Sequence, residues 1–129
     1  MQIASFDIDG VIFNGHEVPG IFPGAEDLII TGRSFQESVE TYDMLRSRGI
    51  MNEVYFNPLG FHQKTRATSG EHKAATINKL NAEGANIVCH YEDDPIQAQI
   101  IREQTEVYVI FIDNPLVGKE NRRQDVKPT

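Results

Sequence analysis

Four groups of residues have types and spacing suited to moving a phosphoryl group. Asp7-Ile8-Asp9-Gly10 follows one apolar run, Thr31-Gly32-Arg33 closes a second, and Glu92-Asp93-Asp94 closes a later one, with Lys73 between them. Phosphoryl transfer needs an in-line nucleophile and neutralisation of the charge on the transferring oxygens. Asp7 offers a carboxylate nucleophile that would form an aspartyl-phosphate. Asp9, two residues on, suits protonation of the leaving oxygen and later activation of water. Two anions facing a phosphate repel it, so the pattern calls for Mg2+, held by Asp7, a backbone carbonyl and an acid after the fourth strand. Thr31 can hydrogen-bond phosphoryl oxygens, Lys73 supplies a point charge near the nucleophile, and Gly10 allows a sharp turn after Asp9.

The elements that must position these groups follow from periodicity. Apolar runs at residues 2–6, 26–31, 53–57, 86–91 and 107–112 read as strands. A helix is expected over 34–48, with Phe35, Val39, Tyr42 and Leu45 on one face, Ser34 and Glu37 as a capping box, and Gly49 as its stop. Thr68 and Glu71 suggest a second capping box and a helix to about residue 83, which puts Lys73 in its first turn. Asp94-Pro95 opens a third helix, running to about residue 104. Residues 10–25 and 58–67 read as loops, the first with room for a short hairpin. Runs such as VYVIFI are apolar throughout, as in strands buried on both faces. The expected fold is therefore α/β: a Rossmann-like three-layer sandwich around a five-stranded parallel sheet, with chemistry beyond the carboxyl ends of its strands. Residues 1–115 form the domain and 116–129 a polar tail.

The ordered set resembles the haloacid dehalogenase superfamily of phosphohydrolases. The matching features are the DxDG[TV] motif at Asp7-Ile8-Asp9-Gly10-Val11, Thr31 closing strand two, Lys73 near a helix start, and the acidic pair Asp93-Asp94 closing strand four. The resemblance covers about residues 2–113. It implies a magnesium-dependent phosphatase with Asp7, Asp9, Thr31 and Lys73 catalytic. Gly10, Gly32 and Arg33 would lie beside substrate, and the metal set is Asp7, Asp9, Asp93 and Asp94. Both usual points for a cap domain are short here, which implies a capless member with an open site. Such a site suits a nucleotide, a polynucleotide end or another phosphorylated macromolecule.

Plainer readings stand beside these. Asp9-Gly10 between apolar runs is also a hairpin signal. Lys64 rivals Lys73, Asp94 is already explained as a helix cap, Glu92 reads as peripheral, and Arg33 reads as a solvated charge. A phospho-accepting receiver uses similar residues in another order, and an inactive binding module would keep the same fold. His16 and His62 lie on rim loops, and none of the four histidines has zinc-ligand spacing. Cys89 reads as a core residue; as the one cysteine it cannot form an internal disulfide, which fits a reduced, cytoplasmic setting. No P-loop, GxSxG, N-terminal signal pattern or membrane-length apolar run is present. The net charge of −7 gives no broad attraction to nucleic acid or anionic lipid, although Lys64, Arg66, Arg122 and Arg123 could make a local basic rim.

Overall fold

The computed structural model describes residues 1–15 and 18–114; His16, Arg122, Arg123 and the tail 116–129 lie outside the described residues. The sheet is built from β1 (Ile3–Phe6), β2 (Leu28–Ser34), β3 (Val54–Asn57), β4 (Ile87–Glu92) and β5 (Tyr108–Phe111). All neighbouring pairs are parallel, in the order β3-β2-β1-β4-β5. The chain first steps outward from β1 through β2 to β3, then crosses back to β4 and continues to β5. Crossovers of one hand then place helices on opposite faces. Helix α1 (Ser38–Ser47) packs on one face through Leu45, in a cluster with Phe6, Ile8, Ile12, Phe13 and Ile29. Helices α2 (Arg66–Ala82) and α3 (Pro95–Gln104) cover the other, where Ala74, Ile77, Ala98 and Ile101 pack with Ile30, Ile87 and Val109. This is the three-layer α/β sandwich expected, and the described residues contain no inserted further domain. Among them no helix is long and apolar enough to cross a membrane.

Several local expectations need correction. Asp9-Gly10 is not the turn of a hairpin: β1 pairs with β2 and β4, not with the run after Gly10. Instead Ile12 and Phe13 both donate to Ile8 O, making one wide helical turn, and Gly10 sits at φ +87° where an L side chain would be strained. The hairpin comes later, where Asn14 N donates to Val18 O and Gly20 N to Ile12 O.

The second strand runs past Thr31 to Ser34, whose side chain caps a 3₁₀ turn (Phe35–Glu37) before α1. That turn has about three residues per turn rather than 3.6, so the apolar stripe slips off the core. Leu45 is buried, but Phe35 is 52% and Val39 76% exposed, and Thr41 takes the inner position. The second helix begins at Arg66, not near residue 68. Thr65 is its N-cap, exchanging hydrogen bonds with Thr68, so Thr68-Glu71 is not the box. Lys73 therefore lies seven residues, about two turns, into the helix rather than in its first turn.

Gly32 has a packing reason to be glycine. A Cβ there would sit 2.9 Å from Ser69 Oγ and 3.0 Å from Ser69 Cβ on α2. Gly32→Ala is expected to cost about 1–3 kcal/mol by overpacking, read from urea denaturation. Ser69→Gly in the same chain should return part of that loss; no recovery would show that the clash is not the cause.

Candidate active site

Strand register brings the two main acidic segments together. Phe6 of β1 pairs with Tyr91 of β4, their rings stacked at 4.4 Å, and Asp7 N donates to Tyr91 O at 3.1 Å. Asp7 thus leaves β1 beside Glu92, at the point where the connections from adjacent strands run in opposite directions. In open α/β sheets this crevice is where ligands bind.

Helix α2 supplies the cation. Arg66, Gly70 and Lys73 follow one another along one face at helical spacing. Gly70 permits close packing, since a Cβ there would meet Ile100 Cδ1 at 3.0 Å on α3. Lys73 Nζ then lies 3.1 Å from Asp7 Oδ1 and 2.8 Å from Glu92 Oε1, all three side chains being 5% exposed or less. Asp93 is also buried, and Asp7, Glu92 and Asp93 each offer an oxygen within 4.8 Å of the others.

Asp7 is buried beside a second acid, and its proton affinity reflects it. Burial pushes the Asp7 carboxyl up to about 7, the Glu92 charge adds to this, and Lys73 opposes it. Burial alone would push Lys73 down, but Asp7 and Glu92 outweigh it and hold the ammonium charged. Three carboxylate oxygen donors this close together fit a hard divalent cation such as Mg2+.

The other expected residues are placed differently. Asp9 is held by a bidentate pair with Arg33, Nε to Oδ2 at 2.9 Å and Nη2 to Oδ1 at 2.8 Å. Burial disfavours its charge, but the Arg33 hydrogen bonds and charge hold it below the usual carboxylate range. Arg33 is thus an ion-pair partner rather than a solvated charge, and its Nη1 also donates to Thr41. Asp94 caps α3, accepting from Ile96 N and Gln97 N, and forms a second arginine fork with Arg66. Asp9 and Asp94, expected in the metal set, therefore stand outside the acidic trio. Thr31 is fully buried, two residues beyond Ile29, the partner of Phe6, and its Oγ1 accepts from Arg33 N. Gly32 O accepts from Lys64 Nζ at 3.1 Å.

Lys64 is as buried as Lys73; its ammonium donates to Gly32 O and pairs with Glu37, and its charge also acts on Asp9. Glu92 was expected at the periphery and is instead fully buried at the centre, where Lys73 and His90 Nε2 both meet its Oε1. The available signal was alternation: His90 and Glu92 are two polar residues sharing one face of a core strand. Cys89, expected in the core, is only half-buried. A surface cavity of about 350 Å³ opens between β3 and α2, lined by Val54, Tyr55, His72, Thr76 and Leu80 among others; none of the site acids lines it.

Comparison with protein-family models, with curated proteins and with solved structures gave no match to this chain.

Proposed function

We propose that this chain is a magnesium-dependent phosphatase acting on a phosphomonoester, with Asp7 as nucleophile. The observation that carries the reading is the buried Asp7–Lys73–Glu92 bridge at the crevice between β1 and β4, with Asp93 beside it. The resemblance to haloacid dehalogenase-type phosphohydrolases supports the same reading.

Lys73 engages one oxygen of Asp7 and leaves the other for attack on phosphorus. The Asp7–phosphorus bond forms as the ester P–O bond breaks, and the leaving oxygen takes a proton from Asp9. Water then attacks phosphorus, Asp9 takes up its proton, and the bond to Asp7 breaks. Asp9 must first leave Arg33, because the fork keeps it ionised. The incoming phosphate dianion offers Arg33 an alternative partner. Mg2+ held by Asp7, Glu92 and Asp93 would neutralise charge on the phosphoryl oxygens.

The substrate class proposed is a nucleotide, a polynucleotide end or another phosphorylated macromolecule. The test is phosphate release from p-nitrophenyl phosphate, mononucleotides and 3′-phosphorylated oligonucleotides, with Mg2+ and with EDTA. Release that needs Mg2+ is expected; no release from any of them would overturn the reading. One observation favours a second reading, a phospho-accepting module: while Arg33 occupies Asp9, a phosphorylated Asp7 lacks its hydrolytic base. That reading expects a long-lived phosphoryl group on Asp7 and no sustained turnover.

A further inference from the structure

We infer that His90, fixed by Ser5, is a positioning residue that holds Glu92, and through it Lys73, against Asp7; the inference rests on the phosphatase reading above. The same register that sets Asp7 beside Glu92 pairs Ser5 with His90 two residues earlier on each strand. Both are fully buried. The neighbouring core positions on these two strands are Phe6 and Ile87, so polar side chains here need a reason. Burying a hydroxyl and an imidazole is unfavourable unless their hydrogen bonds are made.

Those bonds are made, and their directions follow. Glu92 Oε1 already accepts from Lys73 at 2.8 Å, and an ionised carboxylate is acceptor-only. His90 Nε2, 3.0 Å from the same oxygen, must therefore carry the hydrogen. Ser5 Oγ lies 2.7 Å from Nδ1 and holds the ring on its other side. The result is one connected chain: Ser5 against His90, His90 donating to Glu92, and Lys73 bridging Glu92 and Asp7. Glu92 Oε2 accepts from Asp94 N at 3.3 Å, so both carboxylate oxygens are held and its plane is set. Without the His90 donor Glu92 keeps only its bonds to Lys73 and Asp94 N, so its plane is set less tightly and Lys73 is held less firmly against Asp7. Outer partners of this kind act by orienting the groups that do the chemistry.

The experiment has two arms on the full chain. Long-range 1H–15N correlation spectra of the wild type report the His90 tautomer directly. The Nε2–H form is expected; the Nδ1–H form overturns the inference, because Glu92 would then face a nitrogen without a hydrogen. In the second arm, kcat and KM are measured with p-nitrophenyl phosphate and Mg2+ for His90→Leu, His90→Gln and Ser5→Ala, with thermal melts to confirm folding. His90→Leu should lose about 10–100-fold in kcat with KM little changed. His90→Gln restores a donor toward Glu92 and should recover most of that loss, and Ser5→Ala should fall between them. Leu equal to wild type, or Gln no better than Leu, overturns the role. A wild type that shows the Nε2–H tautomer but turns over no phosphoester removes the phosphatase reading and the role with it. Turnover with the Nδ1–H tautomer removes this inference alone.

Discussion

Asp7→Asn is expected to lower phosphate release by about 10⁴-fold or more while making the metal-free protein more stable at neutral pH. The amide keeps the shape of the carboxylate but is no nucleophile toward phosphorus, so no covalent intermediate can form. The stability gain has a separate cause. Folding raises the Asp7 pKa from 3.8 to about 7, chiefly by burial and by Glu92. Between those values the folded state holds a proton that the unfolded chain has released. For this group stability therefore falls as pH rises from about 4 to 7, and asparagine, which resembles the protonated acid, escapes that fall. With EDTA present, the Tm of Asp7→Asn minus that of wild type should grow across this window and level off above it. His90 and His72 are pushed the opposite way, to about 3 and about 4, by burial. His72 does not feel Asp7, and His90, which does, titrates below this window, so the difference reads Asp7. A variant that is less stable than wild type at pH 7.5 would contradict the charge accounting; one with full activity would remove the mechanism.

Lys73→Met is expected to cost about 3–5 kcal/mol, because it leaves buried Asp7 and Glu92 without their shared cation. Urea denaturation at pH 7.5 measures the loss. The double variant Lys73→Met, Glu92→Gln should be more stable than the single one, since it removes one of the stranded charges. A double variant no more stable than Lys73→Met would mean that packing of the lysine stem, not charge, sets the loss. Phosphate release should fall in both. Lys64→Met also disturbs a buried ammonium, but one that serves Gly32 O and Glu37. Its effect on stability should not be relieved by Glu92→Gln.

The fold was legible because it is written in local patterns. Continuous apolar strands alternate with segments whose starts carry recognisable caps, such as Ser34 with Glu37 and Asp94 before Pro95. The start of α2 was misread because Thr65 and Thr68 share a reciprocal cap without an acidic residue, while Glu71 advertised a false one. Phe35 and Val39 were misread because a 3₁₀ turn breaks the helical phase. The site was legible in its members more than in its pairings. Asp7, Lys73 and Asp93 come off elements the sequence locates, and the structure does bring them together. Which charge meets which depends on register and on helix approach, and neither is encoded within a few residues. Glu92 looked peripheral because only the β1–β4 pairing puts it beside Asp7. The arginine forks on Asp9 and Asp94 join residues 24 and 28 positions apart, beyond the reach of any spacing rule.

The central claim is that Asp7 itself receives the phosphoryl group. Wild-type protein mixed with a turned-over phosphoester and Mg2+, quenched in acid within one turnover and digested, should yield a peptide carrying one phosphoryl group on Asp7, absent from Asp7→Asn. Brisk phosphate release with no label on Asp7 at any quench time, or with the label on another residue, would contradict the account.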